Sequence, residues 1–306
     1  MTESLSTADD LAEIRDRVAR HLVGRERELE LVLSAVGAGR DIVLEGPPGT
    51  SKTTLLRAIT AEWGIPLLFV EGNADLTPSR LVGHHNPARV LREDYSAENF
   101  VPGPLVEAMR EGGFLYIEEF NRAPDDTLNT LLTAMAERQV TIPRVGTTTA
   151  KPTFRVIASM NPYDNVGTVR LSTSISDRLC RLSVDYQDDT AERGIVALRT
   201  GLSIQDRLVA DAVAVTRATR EHPDVRQGSS VRGAIDTALV AVEIAELRRV
   251  GTREDERYPA VVLDAMTVAL SGRVQLDEAA ETTPEQVLRQ IWEDHFILIP
   301  HAAEPG

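Results

Sequence analysis

A glycine-rich loop between an apolar stretch and a helix start constrains the fold of this chain more than any other feature. The apolar stretch covers residues 42–44. The loop and the first residues of the helix are Gly46, Pro47, Pro48, Gly49, Thr50, Ser51, Lys52, Thr53 and Thr54. In such a turn, backbone N–H groups surround phosphate oxygens, and the helix N-terminus adds positive potential. The pattern therefore predicts a strand–loop–helix unit that binds the phosphates of a nucleotide.

Two side chains of this loop are predicted to contact the ligand directly. Lys52, one of two lysines in the chain, would reach the β- and γ-phosphates, and the Thr53 hydroxyl would hold Mg²⁺. Ser51 stands where the pattern G-x-x-x-x-G-K-S/T has glycine, so a Cβ lies where the backbone should approach the phosphates closely. We expect this departure to lower nucleotide affinity without moving the site. The alternative is a connecting loop that is merely rich in glycine and proline, and the order of the flanking elements disfavours it.

Composition and charge limit the classes of protein to which the chain can correspond. No run approaches the roughly 20 apolar residues of a membrane span, and the N-terminal residues lack the basic and apolar regions of a signal peptide. The single Cys180 allows no internal disulfide and is predicted to lie in or near the core. These features predict a cytoplasmic location. The net charge of −14 repels phosphate backbones, which disfavours nucleic acid as a main partner.

Strand-like and helix-like segments alternate over the first part of the chain. The strand-like runs cover residues 42–44, 67–70, 114–117, 156–159 and, more weakly, 182–184. Helical patterns separate them, notably over residues 53–63, 104–111 and 125–137. Strands separated by helices of this length predict an α/β fold, with a parallel sheet covered by helices on both faces. The predicted α/β domain extends over residues 1–188.

From about residue 189 the strand-like runs stop and helical patterns follow one another. They cover residues 190–200, 204–219, 231–249, 259–271 and 284–292. The last begins with a capping threonine, Thr283, with proline at the first helical position and Gln286 at the third. Residues 189–306 are therefore predicted to form a smaller, all-helical domain.

Two carboxylates follow the apolar run at residues 114–117, at the end of a strand that should face the ligand crevice. Glu118 could hold a water on Mg²⁺, and Glu119 could orient and deprotonate the attacking water. An acidic pair after a strand is commonly just the start of a solvated loop, but the phosphate-binding loop favours the catalytic interpretation. The first acid is usually aspartate, so Glu118 is one methylene longer than expected.

Three further residues are candidates for contacts to the γ-phosphate. Asn161 follows the strand-like run at residues 156–159 and suits positioning of the water, although Asn161-Pro162 is also a common turn dipeptide. Arg178 and Arg232 would each stabilise charge that develops on the γ-phosphate. Because 31 of the 33 basic residues are arginines, neither arginine stands out without its context.

Six segments, in order, resemble the MoxR group of AAA+ ATPases, which is related to magnesium-chelatase motors. They are residues 22–25 (Leu-Val-Gly-Arg), 46–53, 100–105 (Phe-Val-Pro-Gly-Pro-Leu), 118–124 (Glu-Glu-Phe-Asn-Arg-Ala-Pro), 138–141 (Arg-Gln-Val-Thr) and 228–232 (Gly-Ser-Ser-Val-Arg). The resemblance covers nearly the whole chain. It implies a P-loop AAA+ α/β domain followed by a helical lid, with ATP and Mg²⁺ as cofactors.

The resemblance also implies roles for individual residues. Val23 and Gly24 would contact the nucleotide, Asn161 would be the sensor-1 residue and Arg232 the sensor-2 residue. Arg178 would be the arginine finger that reaches the nucleotide of the neighbouring subunit, with Arg170 as second candidate.

Partners follow from the same resemblance. Similar ATPases form homo-oligomeric rings, commonly hexamers, and often work with a protein that carries a von Willebrand factor A domain. Residues 76–99 fall where the family has an insert in its second helix, and residues 141–151 where it has a hairpin before sensor-1. Both segments would face the client or the pore.

The sequence favours an ATP-hydrolysing ring that remodels or activates a protein client. A second hypothesis is a nucleotide-dependent assembly switch with little turnover, which rests on Ser51 and Glu118 occurring together. A DNA-translocating motor of the same superfamily has the charge balance against it. GTPase and small-molecule kinase functions do not explain Asn161 and Arg232 within one ordered set.

Overall fold

Alternating strands and helices make up the first of two units of the chain. A computed structural model describes residues 8–93, 96–162 and 171–298. The two units are Met1–Asp185 and Tyr186–Gly306, whereas the sequence prediction placed the boundary after residue 188. The strands of the first unit are β1 (Asp41–Glu45), β2 (Leu67–Glu71), β3 (Gly83–His85), β4 (Phe100–Pro102), β5 (Phe114–Glu118), β6 (Gln139–Ile142), β7 (Gly146–Thr149), β8 (Arg155–Met160) and β9 (Leu179–Ser183). Its helices are α1 (Ala8–Ala19), α2 (Glu26–Gly37), α3 (Lys52–Trp63), α4 (Pro78–Val82), α5 (Pro87–Glu93), α6 (Pro104–Glu111), α7 (Asp125–Glu137) and α8 (Thr173–Ser176).

Five of these strands form one parallel sheet in the order β2-β5-β8-β1-β9. They contain four of the five runs that the sequence predicts to be strands, and β9 overlaps the fifth at Leu182 and Ser183. The predicted α/β fold is therefore confirmed. Strand β8 lies between β5 and β1, with Ile117 beside Ala158 and Glu45 beside Met160. The carboxyl ends of β1, β5 and β8 therefore meet at one edge of the sheet, where ligands bind in open α/β sheets.

Helices bury both faces of the sheet, and alternation along β5 shows the division. Phe114 and Tyr116 point into a cluster that also contains buried residues of α1, α2 and α3. Leu115 and Ile117 point into a second cluster, with residues of α6 and α7. Because successive side chains of a strand point to opposite faces, a strand covered on both sides reads as a continuous apolar run.

Two short hairpins extend from the first unit. Strands β3 and β4 pair antiparallel around α5, and β6 pairs with β7 directly after α7. Strand β3 lies in the segment predicted to be a family insert, residues 76–99, and β4 directly follows that segment. The second hairpin overlaps the hairpin predicted over residues 141–151.

The second unit consists mainly of helices. They are α9 (Asp189–Thr200), α10 (Arg207–Glu221), α11 (Val231–Arg248), α12 (Tyr258–Leu270) and α13 (Pro284–Glu293), followed by a π-helical turn at Asp294–Leu298. The capping box predicted at the start of α13 is present, formed by Thr283 and Gln286. The all-helical prediction needs one correction, because β10 (Val225–Gln227) and β11 (Gln275–Leu276) form a small antiparallel ribbon. Within the described ranges, each helix is too short or too polar to cross a membrane.

Candidate nucleotide-binding site

The loop between β1 and α3 leaves the sheet in a tight turn at Gly46. The Gly46 N–H donates to the Met160 carbonyl oxygen over 3.1 Å, which ties the loop to the end of β8. A Cβ added at Gly46 would lie 1.9 Å from the Val184 carbonyl oxygen. Any other residue would push the loop away from the end of β9, so glycine at this position fixes the path of the loop toward α3.

Lys52 is the first residue of α3 and directs its ammonium back into the loop. Its Nζ donates to the carbonyl oxygens of Gly46 at 3.0 Å and Pro47 at 2.8 Å, and to Thr50 Oγ1 at 3.2 Å. Thr50 in turn donates to the Pro47 carbonyl oxygen, and Pro48 is exposed at the tip of the loop. A phosphate at the N-terminus of α3 would meet this ammonium together with the first N–H groups of the helix.

Ser51 has a left-handed backbone conformation, with φ 64° and ψ 19°. This conformation brings Cβ close to the following carbonyl oxygen and costs a residue other than glycine about 1–2 kcal/mol. The preference for glycine at this position therefore has a backbone cause in addition to the close approach of phosphates predicted from the sequence.

Replacing Ser51 by glycine should raise the free energy of unfolding by up to about 1 kcal/mol, because glycine adopts this conformation without the Cβ penalty. Urea unfolding of the two proteins measures the difference. Ser51→Ala is the matched control, since it removes the hydroxyl but keeps the Cβ and should give no gain. Equal stability of the glycine and alanine variants would contradict the backbone explanation.

Thr53 and Glu118, the two residues predicted to hold the metal, lie in contact. The Thr53 hydroxyl, in the first turn of α3, donates to Oε1 of Glu118 at the end of β5, over 3.1 Å. Hydroxyl and carboxylate oxygens are hard ligands, and Mg²⁺ in nucleotide sites is held by one or two such groups together with phosphate and water oxygens. The donor set therefore fits a Mg²⁺ ion. Thr54, the next residue of α3, is exposed.

The two adjacent acids are separated by a change of backbone direction. Glu119 has a left-handed conformation at φ 53°, and its side chain is 44% exposed. Its Oε2 lies 3.3 Å from Nε of Arg122. Glu118 is thus bonded to Thr53, whereas Glu119 is accessible to water, and the two carboxylates can have different roles.

Asn161 directly follows β8, the strand between β5 and β1. The sheet therefore places its backbone between the phosphate-binding loop and the two acids. The side chain is half-buried. This position suits a residue that contacts both a water molecule and a terminal phosphate.

Arg178 lies at the amino ends of the strands, whereas the loop lies at their carboxyl ends. It precedes β9, whose first residue, Leu179, pairs with Asp41 at the start of β1. At about 3.3 Å per residue, the five residues from Asp41 to Gly46 put about 17 Å between this level and the loop. The Arg178 guanidinium donates to the Ser174 carbonyl oxygen at 2.8 Å. It is too distant for a ligand bound at the loop of its own subunit, and Arg170, the second candidate, lies outside the described residues.

Arg178 lines a cavity of about 350 Å³. Its lining includes Arg40, Cys180 and the pair formed by Asp41 and Arg138, whose Oδ2 and Nη2 lie 2.7 Å apart. Burial raises the pKa of Asp41, and the Arg138 guanidinium opposes that shift. The prediction that Cys180 lies in or near the core is wrong, because its side chain is exposed on the edge strand β9.

The segment that contains Val23 and Gly24 is anchored beside the end of β9. The guanidinium of Arg25, which is 3% exposed, donates to the Asp185 carbonyl oxygen at 2.6 Å and to Glu28 at 2.9 Å. Val184, the preceding residue, is the one whose carbonyl oxygen lies against Gly46. Val23 and Gly24 are therefore held near the phosphate-binding loop.

Arg232 lies in the first turn of α11 in the second unit and is exposed.

Tyr116 and Ser159 also belong to this site, although neither was predicted from the sequence. The Tyr116 hydroxyl lies 2.9 Å from Ser159 Oγ and 3.2 Å from Thr53 Oγ1. Their only signal in the sequence is that each precedes a predicted site residue by two positions. In a strand, this spacing puts both side chains on the same face.

The parallel sheet, the phosphate-binding loop and the acids at the neighbouring strand define the P-loop AAA+ fold. Residues 41–179 match the family model described as the AAA domain of the dynein-related subfamily. Two solved structures show the same fold. A putative ATPase from Cytophaga hutchinsonii has a TM-score of 0.52 at 23% identity, covering 92% of this chain and 93% of the other. A variant of Thermotoga maritima RuvB has a TM-score of 0.53 at 18% identity, covering 81% and 71%.

Curated relatives include two proteins named as gas vesicle ATPases. GvpN of Ancylobacter aquaticus is 29% identical over 227 residues, which cover 68% of this chain and 62% of that protein. GvpN2 of Halobacterium salinarum is 26% identical over 308 residues, covering 95% of this chain and 80% of its own length. The uncharacterised protein YojN of Bacillus subtilis is 29% identical, covering 78% and 82%.

Proposed function

We propose that this chain is a MoxR-type AAA+ ATPase that hydrolyses ATP to ADP and phosphate with Mg²⁺. In this proposal it acts in the cytoplasm as a ring-forming chaperone that activates or matures a protein client. The observation that carries the proposal is the convergence of Lys52, Thr53, Glu118, Glu119 and Asn161 at the carboxyl ends of three neighbouring strands. Each of these residue types has a defined task in phosphoryl transfer to water.

The roles follow from the positions of the side chains. Lys52 and the N-terminus of α3 bind the β- and γ-phosphates. Thr53 and Glu118 would hold the Mg²⁺, which would supply positive charge next to the phosphates when bound. Glu119 accepts a proton from the attacking water, because it is the accessible carboxylate of the pair. Asn161 orients that water. Val23 and Gly24 contact the nucleotide beside the end of β9.

Ring formation is supported by the location of Arg178. Arg178 is too far from the loop of its own subunit to contact a nucleotide there. Its guanidinium would therefore contact a nucleotide bound by a neighbouring subunit. Head-to-tail contacts of this kind close into rings, and we propose a homo-hexamer. Arg232 is proposed, from the family resemblance, to be the sensor-2 residue that contacts the γ-phosphate. The von Willebrand factor A partner is proposed from the family resemblance.

An assembly switch with little turnover is the second candidate. The left-handed Ser51 and the long acid Glu118 favour it, because both are departures that affect the phosphate and metal contacts. Tight ATP binding and ATP-driven assembly, with phosphate release no faster than background, would distinguish the switch from the ATPase. The net charge of −14 disfavours a DNA-translocating motor, because it repels phosphate backbones.

The proposed function is tested by comparing the chain's two lysines. Lys52→Ala should weaken ATP binding at least about tenfold, since it removes a charged donor to phosphate. Lys151→Ala is the matched control, because Lys151 is exposed and its backbone N–H bonds to Met109, far from the loop. Calorimetric titration with ATP and Mg²⁺ measures both, and sedimentation velocity in the same buffers measures assembly. Equal affinities of the two variants would contradict the proposed site.

A further inference from the structure

Tyr116 brings a hydroxyl into the candidate metal site from within the sheet. Its side chain is completely buried, and its ring packs edge-on against Phe69 at a centroid distance of 5.7 Å. The hydroxyl lies 3.2 Å from Thr53 Oγ1 and 3.4 Å from Glu118 Oε1. One phenol therefore contacts both residues that fit Mg²⁺.

A third hydroxyl fixes the direction of this phenol. Ser159 Oγ, on β8, lies 2.9 Å from the Tyr116 oxygen. Each hydroxyl has one proton to donate, and an ionised carboxylate accepts. If Ser159 donates to Tyr116, both Tyr116 and Thr53 can donate to Oε1 of Glu118, and every proton of the group has an acceptor.

The length of Glu118 gives this phenol a task. Glu118 has one more rotatable bond than the aspartate usual at this position, so its carboxylate needs additional contacts to be held in one orientation. The Tyr116 hydroxyl supplies such a contact at Oε1, on the same oxygen that accepts from Thr53.

We propose that Tyr116 is a positioning residue for Mg²⁺ and that it acts by fixing the carboxylate of Glu118, with Ser159 orienting the phenol. This inference rests on the proposed function. It predicts that the phenol affects the Mg²⁺-dependent part of nucleotide binding and leaves the phosphate contacts of Lys52 and the loop unchanged.

Tyr116→Phe tests the inference, because phenylalanine keeps the buried ring and removes only the hydroxyl. The Mg²⁺ concentration that gives half of the Mg²⁺-dependent gain in ATP affinity should rise about tenfold, the usual effect of removing a partner behind a metal ligand. ATP affinity in EDTA should stay within about twofold of the unmodified protein. Ser159→Ala should shift the Mg²⁺ dependence in the same direction by a smaller factor.

Tyr258→Phe is the matched control. The Tyr258 hydroxyl donates to the buried carboxylate of Asp211 at 2.8 Å in the helical unit, so both variants lose a bond between a phenol and a carboxylate. Both should lower the melting temperature, but Tyr258→Phe should leave the Mg²⁺ dependence unchanged. In the Glu118→Asp background, Tyr116→Phe should have a smaller effect, because the shorter acid no longer reaches the phenol.

The outcomes separate the two proposals. If the unmodified protein binds no ATP with or without Mg²⁺, the proposed function fails and the inference fails with it. If it binds ATP and Tyr116→Phe has an unchanged Mg²⁺ midpoint, only the inference is overturned, and the hydroxyl has a structural role. A loss of ATP affinity that is equal in EDTA and in Mg²⁺ would also overturn it.

Discussion

Replacing Glu119 by glutamine should reduce steady-state phosphate release by about 10²–10⁴-fold while ATP still binds. Glutamine keeps the shape of the side chain but cannot accept a proton from water. The change should leave the phosphate site intact, because the Glu119 side chain pairs with Arg122 and the bond between Thr53 and Glu118 does not involve Glu119. Phosphate release with Mg-ATP and calorimetric ATP binding measure the two effects.

Glu71→Gln is the control for this prediction. Glu71 ends the edge strand β2, beside Glu118 in the register, and is exposed. The Glu71→Gln variant therefore loses a carboxylate at the same carboxyl ends of the strands, and it should keep full activity. A rate that Glu119→Gln leaves unchanged would reject Glu119 as the base. The ATP-bound variant also offers a way to find the client, by identifying proteins that co-purify with it when ATP is present.

The sheet could be predicted because its central strands are buried on both faces. Phe114, Leu115, Tyr116 and Ile117 are each 0% exposed, so the strand reads as an uninterrupted apolar run. The edge strand β9 gave a weaker pattern, and its sequence prediction began three residues late, at Leu182. Cys180 was wrongly predicted to be buried for the same reason: an edge strand is covered less completely than its apolar residues suggest.

Strands of two or three residues carry too little periodicity to be found in a sequence. The ribbon of β10 and β11 joins Val225–Gln227 to Gln275–Leu276, and the intervening helices hide this pairing. The left-handed conformations of Ser51 and Glu119 were also not predictable from residue type, because serine and glutamate seldom adopt them. Ser51 directly precedes α3 and Glu119 directly follows β5, so both conformations occur in the candidate site. Functional sites are where strained backbone is concentrated in proteins.

Local motifs located the phosphate loop and the acids, but not the residues that support them. Lys52, Thr53 and Glu118 stand in recognisable patterns along the chain. Tyr116 and Ser159 look like ordinary members of apolar strands, and only the register of β5 against β8 brings their oxygens within 2.9 Å of each other. Residues that support a site across strands are determined by sheet order, which a single sequence does not contain.

Replacing Arg178 by alanine should lower ATP hydrolysis by about 10³-fold or more, the effect typical of an arginine finger. The stronger expectation concerns mixtures. Arg178 lies at the amino ends of the strands and the loop lies at their carboxyl ends. We therefore expect Arg178 to act on the nucleotide of the neighbouring subunit. Arg178→Ala subunits keep Glu119, and Glu119→Gln subunits keep Arg178. In a randomly mixed ring, about one site in four joins an intact base to an intact finger.

The Arg178→Ala and Glu119→Gln proteins should each be inactive alone. Mixed in equal amounts under conditions that allow exchange of subunits, they should hydrolyse ATP at about a quarter of the rate of the unmodified protein. Arg289→Ala is the control, because it changes an exposed arginine of α13 that pairs with Glu293. This variant should have full activity by itself, and the same change made in both members of the mixture should leave the regained rate unchanged. If Arg178 acted within its own subunit, each site would lack either its base or its finger, and mixing would restore no activity. Sedimentation velocity of the mixture, with one component labelled, establishes that mixed assemblies have formed before the rates are compared.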